Sequence, residues 1–311
     1  MAATRIGRGA FDSATASLSH ARPGWLVVAA AAFTIGLLCS SAAWRTGLRS
    51  CGGKAGFVQV SARYAVGSLV NSFSPAHLGG AVRLGLLAQT LAGKERVWRA
   101  GGVAGAISLA RSLALAALVV TAAAWGRIPL WPAPILISVV VVAVLICARL
   151  SSRARGHFGS LLEVFRTLRR CPSTAATLFG WVTLSFTARV AGAAAIAMAL
   201  GTHGPIWVAL VLVTAMALSG LLPLTPGNFG AGAGAVALAL HGTGVGLGAA
   251  MAIGVSFQAV ETFVGITVGL AGVAALAKPA SRTRRWSLAI VGTAGVVVLA
   301  ALGAAASIDL I

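Results

Sequence analysis

Charged residues are scarce in this sequence. Lys, Arg, Asp and Glu make up 9% of its 311 residues, and only five residues are acidic, whereas 58% are hydrophobic. A soluble globular domain carries about 25% charged residues. The composition therefore predicts an integral membrane protein and leaves no stretch long enough for a soluble catalytic domain.

Patterns for metal or covalent chemistry are also missing. The four cysteines, Cys39, Cys51, Cys147 and Cys171, show neither metal-ligand spacing nor a pairing pattern. No Ser-His-Asp or paired-carboxylate spacing occurs, and acids that could serve as a general base are few. We therefore predict no catalytic residue, no metal and no cofactor. The protein is not expected to be an enzyme, and a lipid-linked glycosyl or acyl transferase is disfavoured.

The net charge of +19 has a membrane explanation. Most of the basic residues fall in short links between apolar runs, where such residues fix membrane topology. They would also favour anionic lipid headgroups by roughly 1 kcal/mol each near the surface. We therefore predict membrane lipids, chiefly anionic ones, as partners, and no nucleic acid.

Apolar runs of membrane-spanning length cover residues 25–306. A crossing needs roughly 20 such residues. The candidate segments are Trp25–Ala43, Phe57–Leu91, Gly101–Trp125, Pro132–Leu150, Thr174–Leu200, Pro205–Leu222, Pro226–Gly246, Leu247–Leu276 and Trp286–Ala306. They predict an all-α, polytopic transmembrane helix bundle of about eight or nine segments in one domain, flanked by a polar tail at 1–24 and a short tail at 307–311. Ser41-Ala42-Ala43 also fits a signal-peptide cleavage site, although an uncleaved first helix is favoured.

Basic residues mark three of the links. The clusters lie at Lys94 to Arg99, at Arg149 to Arg170 and at Lys278 to Arg285. The links around Pro129–Pro134 and Gly201–Pro205 are nearly uncharged. The positive-inside rule then places the basic links and the N-terminus in the cytoplasm, in an inner or plasma membrane. The same topology places Arg45, Arg49 and Lys54 on the outer side of the membrane, which contradicts the positive-inside rule.

Residues 151–172 form the longest polar link. Its apolar side chains recur at helical spacing against arginines, and they are Phe158, Leu161, Leu162, Phe165 and Leu168. An amphipathic helix lying on the inner leaflet fits this pattern, and a simple basic loop fits it nearly as well.

Two of the apolar segments contain a proline followed closely by glycines, at Pro75 and at Pro226. Unpaired backbone groups are costly in hydrocarbon, so such breaks survive where they face protein, a cavity or a ligand. The topology above runs the first segment from outside to inside and the second from inside to outside. Two broken or re-entrant elements of opposite direction suggest inverted structural repeats, the usual plan of secondary transporters.

The residues around both breaks match known sequence motifs. The first motif reads roughly Asn-x-x-x-Pro-x-Arg-x-Gly-Glu-x-x-Arg and is matched by Asn71, Pro75, Gly79 and Arg83. The second reads roughly Pro-x-Thr-Pro-Gly-Gly-x-Gly-x-x-Glu and is matched by Pro223, Thr225, Pro226, Gly227 and Gly230. A third motif is a Glu-Arg pair in the helix that follows the first motif, and in this sequence only its arginine is present, as Arg111. In motif order, spacing and length, most of the chain resembles the lysylphosphatidylglycerol synthase transmembrane region, also called the flippase-like integral membrane family.

The carboxylates of that family are missing from these motifs. Gly80 replaces the acid after Gly79, Ala110 replaces the glutamate before Arg111, and the acid after the second motif is replaced within Ala231–Gly234. A site built in this way would be more cationic than the usual one of the family. Either the substrate supplies the negative charge, or the function of this chain has drifted.

Arginines within apolar runs are the main candidates for binding. Arg83 and Arg111 would each cost about 2.5–3.5 kcal/mol near a helix centre, so they should face a cavity or a partner. A headgroup phosphate is a natural partner, because guanidinium donates two parallel hydrogen bonds to it. Snorkelling to the interface is the alternative. Arg189 and Glu261 either pair as a structural bridge or line the substrate path, and Glu261 could also carry a proton.

The second break offers backbone donors. Thr225, Gly227, Asn228 and Gly230 open a helix, and the free N–H groups of a helix N-terminus suit an anion. A bare packing turn is the alternative, because glycine lets helices approach closely. The remaining predicted substrate-binding residues are Asn71, Pro75, Gly79, Pro226 and His77, whose charge would depend on pH.

The resemblance implies lipid handling. Relatives are fused to lipid-aminoacylating domains and are linked to moving modified phospholipids between leaflets, and others accompany glycolipid or cell-envelope assembly. Aminoacyl transfer is not expected from this chain alone. We expect a flippase-like protein that translocates or binds an anionic lipid between leaflets. The alternative is a non-catalytic membrane scaffold that supports a separate envelope-lipid or glycolipid biosynthetic enzyme.

Overall fold

Every regular element in the described part of the chain is an α-helix. A computed structural model describes residues 21–74, 78–124, 157–219, 231–277, 287 and 290–293. The helices are α1 (Pro23–Ser50), α2 (Phe57–Phe73), α3 (Leu78–Ala88), α4 (Arg96–Ala124), α5 (His157–Arg170), α6 (Pro172–Ala199), α7 (Pro205–Ser219), α8 (Ala231–His241) and α9 (Leu247–Leu276). The predicted all-α polytopic bundle is confirmed.

Four of these helices, α1, α4, α6 and α9, are long and apolar enough to cross a membrane, and α3, α7 and α8 are shorter apolar helices. Helices α1, α6 and α7 each begin at a proline, whose fixed φ suits the first helical turn. The predicted segment Pro132–Leu150, most of Trp286–Ala306 and nearly all of both tails lie outside the described residues.

Helices α2 and α3 form an antiparallel hairpin. Helix α2 ends where Ser74, the residue before Pro75, takes an extended conformation (φ −99°, ψ 139°), as residues before proline tend to do. Beyond the turn, Gly79 lies against Gly67 and Asn71 of α2; a Cβ on Gly79 would lie only 2.6 Å from the Asn71 backbone nitrogen. Glycine at this crossing therefore lets the two helices pack closely.

The hairpin returns the chain to the face from which it came. A Cβ on Gly53, just before α2, would lie 3.2 Å from Cδ2 of Leu91, just after α3. The first broken segment is therefore re-entrant, and the prediction of a single crossing from outside to inside is wrong. Proline and glycines marked the break, but the direction of the chain beyond it depends on the close packing of Gly79.

Helix pairing defines two faces of the bundle. Helices α1 and α6 are antiparallel: the Arg22 backbone N–H donates to the Ala199 carbonyl oxygen (2.9 Å), and the Ser40 and Ser185 hydroxyls hydrogen-bond (2.8 Å). Helices α2 and α9 are also antiparallel, with Gly272 packed on Ala62 near the start of α2. We call the face at the 51–56 and 89–95 connections the basic face, and the face at the 200–204 and 242–246 connections the far face.

Nine of the described basic residues lie near helix ends or in connections on the basic face, whereas Arg22, at the start of α1, lies on the far face. The nine are Arg45, Arg49, Lys54, Lys94, Arg96, Arg99, Arg166, Arg169 and Arg170. The prediction that put Arg45, Arg49 and Lys54 opposite the Lys94–Arg99 cluster is therefore wrong, because it counted the hairpin as a crossing. With Arg45, Arg49 and Lys54 on the same face as the Lys94–Arg99 cluster, these three residues no longer depart from the positive-inside rule.

The helices α7 and α8 form the second re-entrant pair, entered from the far face. Helix α7 starts directly after α6 ends, and α8 turns into α9 through the short 242–246 connection, with Gly254 of α9 packed on Ala233 of α8. Helices α7 and α8 pack on each other, and they run in opposite directions because α7 begins and α8 ends at the far face. The second break itself, within 220–230, lies outside the described residues.

The helix order repeats with inverted direction. Each half begins and ends with a long helix, α1 and α4 in the first half and α6 and α9 in the second, with two shorter helices between them. The packing repeats too: α1 on α2, α2 on α3 and α3 on α4 correspond to α6 on α7, α7 on α8 and α8 on α9. Each half holds one long helix, one hairpin and a second long helix. The inverted repeats suggested by the two breaks are therefore visible in the described helices.

Helix α5 confirms the predicted amphipathic helix on the basic face. Its Val164 and Leu168 are buried against protein, Phe165 lies against Gly105 of α4, and Glu163 pairs with Arg99 (Oε2 to Nε, 3.5 Å). At these residues the apolar side of α5 therefore packs on α4, not on the lipid that was expected beneath it.

Candidate functional site

Arg83 and Arg111 meet at the phenol ring of Tyr64. The Arg83 guanidinium carbon lies 3.9 Å from the centre of the ring, and Arg83 Nη2 donates to Ser68 Oγ (3.1 Å). From the other side, Arg111 Nη2 donates to Tyr64 Oη (3.3 Å). The structure therefore brings together two arginines that are far apart in sequence and that were both predicted to bind the substrate.

The hairpin positions this cluster. Tyr64 and Ser68 lie one turn apart on the same side of α2, and Gly67 between them lets α3 approach so closely that a Cβ on Gly67 would lie 2.6 Å from the Arg83 Cβ. Tyr64 is almost fully buried, at 4% exposure. A guanidinium over an aromatic face is attracted by the ring quadrupole, more strongly when water is excluded. Tyr64 thus holds both arginines in place.

No carboxylate of the described residues contacts either guanidinium. Two of the acids in these ranges are engaged elsewhere, Glu163 with Arg99 and Glu261 with Arg189, and Glu95 lies in the connection before α4. Arg83 Nε is buried and has no hydrogen-bond partner among the described residues. The cluster therefore offers two positive charges and an unused donor, which is the chemistry of an anion site.

Arg189 and Glu261 pair in the middle of the bundle. Arg189 Nη2 lies 2.8 Å from Oε1 and 2.9 Å from Oε2 of Glu261, and the two side chains are 38% and 36% exposed. The Arg189 guanidinium also lies 5.4 Å from the ring centre of Phe257, one turn before Glu261 on α9. The salt bridge between Arg189 and Glu261, one of the two arrangements predicted from the sequence, is therefore formed, and it lies midway along both α6 and α9.

The other predicted site residues divide into two groups. Asn71 and Gly79 face each other across the α2–α3 hairpin, where they set how closely the helices approach. Outside the described residues lie Pro75, His77, Thr225, Pro226, Gly227, Asn228 and Gly230. Contact of any of these residues with substrate stays a prediction.

Tyr64 and Ser68 were not predicted from the sequence. Tyr64 is the only tyrosine in the chain, and a lone tyrosine in an apolar run is easily taken for an interfacial anchor. A usable signal existed, because Tyr64, Ser68 and Ser72 follow one another at four-residue spacing and so form a polar stripe on one side of α2.

Comparison with known proteins identifies the family. A search of curated proteins gives no match. The family model described as "Lysylphosphatidylglycerol synthase TM region" matches residues 7–269, and this range contains both hairpins and the Arg83–Arg111 cluster. The resemblance seen in the motifs is therefore confirmed, and the chain belongs to the lysylphosphatidylglycerol synthase TM region family, a family of membrane proteins related to phospholipid handling.

Proposed function

We propose that this protein is a flippase-like lipid transporter that binds an anionic phospholipid headgroup at Arg83 and Arg111 and moves it between leaflets. The observation that carries the proposal is the pair of guanidiniums held by Tyr64 with no carboxylate among the described residues. Transport needs no covalent step, so the protein acts without catalysis, cofactor or metal. Membrane lipids are its proposed partners.

The chemistry of arginine suits this task. Its planar guanidinium can give a phosphate two parallel hydrogen bonds, and it loses less hydration than an ammonium on leaving water. Arg83 lies midway along α3 and Tyr64 midway along α2, so the headgroup would bind within a hairpin that enters from the basic face. The acyl chains would remain in lipid while the charged headgroup crosses along protein.

The inverted halves supply a route for alternating exposure. They meet mainly along α1 and α6, where Gly36, Gly192 and the Ser40–Ser185 contact keep the helices close. One hairpin opens from each face. Small movements of one half against the other would expose the arginines first to one leaflet and then to the other, as in other transporters with inverted repeats.

We further propose that the basic face is the cytoplasmic face of an inner or plasma membrane. Nine described basic residues near helix ends or in connections lie there, against Arg22 on the far face, and the 200–204 and 242–246 connections contain no Lys or Arg. The start of α1 then lies on the opposite side, because it pairs with the end of α6. This orientation replaces the cytoplasmic N-terminus that was predicted from loop charges.

Cysteine labelling tests this orientation. In a variant whose native cysteines are replaced by serine, a membrane-impermeant maleimide applied to intact cells should label His203→Cys and leave Lys94→Cys unlabelled until the membrane is opened. Both positions are exposed and lie in connections between helices. Labelling of Lys94→Cys alone would reverse the orientation.

Lipid translocation tests the transport itself. Full-length protein in liposomes should move a fluorescent phosphatidylglycerol between leaflets, and Arg83→Ala should move it about tenfold more slowly. Losing a hydrogen bond to a charged group costs roughly 1.5–3 kcal/mol, and 1.4 kcal/mol is a factor of ten. The matched control is Arg63→Ala, which removes a neighbouring arginine that donates to the Gln59 carbonyl oxygen instead.

The outcomes separate the two functions considered. Rates that depend on Arg83 but not on Arg63 support the transporter. If well-folded protein moves no lipid at all, or if both variants match wild type, the transporter is rejected at this site. A membrane scaffold for a separate envelope-lipid biosynthetic enzyme is then the better description.

A further inference from the structure

We propose that the lipid taken by this site ends in a phosphomonoester or diphosphate group, with about two negative charges, and that lipids with a cationic aminoacyl headgroup are excluded. The inference rests on the proposed function and specifies its substrate class. It follows from comparing the two inverted halves of the molecule, from the bonding around Arg83, and from the space beside Gly80.

The two halves treat their buried charge differently. Arg189 and Glu261 lie on α6 and α9, and their salt bridge leaves the second half neutral at that point. Counted from the helix starts, the same positions of α1 and α4 are Ser40 and Ala110. The first half therefore has neither member of the pair, while Arg111, one residue beyond Ala110, keeps its charge.

No carboxylate among the described residues pairs with the two arginines that meet at Tyr64. Ser68 Oγ accepts a hydrogen bond from Arg83 and Tyr64 Oη accepts one from Arg111, and neither partner is a carboxylate. Arg83 Nε remains without a partner among the described residues. Two like charges held at one ring repel each other, and in a medium of low dielectric constant this repulsion is large.

The charge of the ligand follows from this balance. A phosphodiester headgroup brings one negative charge and balances only one of the two guanidiniums. A phosphomonoester carries −1.5 to −2 at neutral pH and has three acceptor oxygens, enough for donors of both guanidiniums. A diphosphate satisfies the same requirement. A headgroup of this class brings enough negative charge to balance both guanidiniums.

A lipid with an aminoacyl headgroup should not bind, because its ammonium group carries a positive charge like that of the two arginines. Its ammonium would need a carboxylate nearby, and none of the described residues provides one at this cluster. On α3, a carboxylate side chain would have room at Gly80, one turn before Arg83, because an added Cβ there would meet no atom within 4 Å. A side chain would fit there, but the sequence supplies none.

Binding to the purified full-length protein in detergent tests this inference. Thermal stabilisation should be measured with short-chain phosphatidic acid, phosphatidylglycerol and lysylphosphatidylglycerol. We expect phosphatidic acid to bind at least tenfold more tightly than phosphatidylglycerol, and lysylphosphatidylglycerol not to bind. Glycerol phosphate is the control ligand without acyl chains. If it binds as tightly as phosphatidic acid, the site recognises a free phosphate compound, and the proposal that the ligand is a lipid is wrong.

A matched pair of variants at Gly80 tests the role of charge. Gly80→Glu places a carboxylate one turn from Arg83, and Gly80→Gln adds the same bulk without charge. We expect the glutamate variant to lose the preference for phosphatidic acid and the glutamine variant to keep it. Equal affinity of wild type for phosphatidic acid and phosphatidylglycerol would overturn the inference, and so would an unchanged preference in Gly80→Glu.

This result can be told apart from failure of transport. One outcome is that phosphatidylglycerol crosses the membrane in an Arg83-dependent manner while binding shows no preference for phosphatidic acid. That result supports the transporter and rejects only the proposed substrate class. A clear preference in binding, with no lipid of any class crossing in liposomes, rejects transport and leaves an anionic-lipid binding site.

Discussion

Replacing Glu261 by glutamine is expected to lower the free energy of unfolding by about 3 kcal/mol. The change leaves the Arg189 guanidinium, now 2.8 Å from a carboxylate oxygen, without a counter-charge midway along a membrane helix. Breaking a buried ion pair costs roughly 3–5 kcal/mol, and the lower end applies because both side chains are about one third exposed. Thermal unfolding of the full chain in lipid nanodiscs measures the loss.

The control is the double replacement Arg189→Gln with Glu261→Gln. Removing both charges removes the unpaired cation, so the double variant should recover most of the stability, and the coupling in the double-mutant cycle should be near 2 kcal/mol. Wild-type stability of Glu261→Gln alone would contradict a structural bridge. The same variants separate the roles left open by the sequence, because a stable double variant that no longer moves lipid would place Glu261 in the transport path.

Gly79→Ala is expected to destabilise the protein by about 3 kcal/mol, the upper part of the range for overpacking. The new methyl group would meet backbone, not a flexible side chain, since Asn71 N lies 2.6 Å from the Cβ position. The hairpin would have to open, and Arg83 would move away from Tyr64. Thermal unfolding measures stability, and lipid translocation should fall even below the unfolding temperature.

The next residue provides a closely matched control. Gly80 also lies within α3, but an added Cβ there has open space. Because alanine favours helix over glycine by up to about 1 kcal/mol, Gly80→Ala should be as stable as wild type or slightly more stable. Equal stability of the Gly79 and Gly80 variants would mean that the close crossing of α2 and α3 does not hold the hairpin.

The sequence predicted the helical breaks because proline and glycine act locally. Pro75 constrains the residue before it, and Ser74 is indeed extended. The direction of the chain after the break depends instead on the fit of Gly79 against Gly67 and Asn71, which only packing reveals. Counting the segment as one crossing therefore put the 51–56 connection on the wrong side relative to the Lys94–Arg99 cluster.

The candidate site was partly predictable for a similar reason. Arg83 and Arg111 stand out because an arginine in an apolar run needs a partner. Their meeting at Tyr64 joins residues 64, 83 and 111 through three helices, and no local pattern encodes that contact. Helix α5 was predicted from its local pattern, but the surface on which it packs was not. An amphipathic pattern is the same whether its apolar side contacts lipid or protein, and Val164 and Leu168 are buried against protein.

The uneven charge of the connections bears on how the chain enters the membrane during synthesis. The far-face connections 200–204 and 242–246 have five residues each and contain no Asp, Glu, Lys or Arg. Lysine and arginine resist translocation, so these loops can be carried across the bilayer at low cost while the basic connections stay behind. Once α6 has crossed, α7 and α8 can fold back into the bilayer from the far side. The two halves can thus insert in opposite orientations within a single chain.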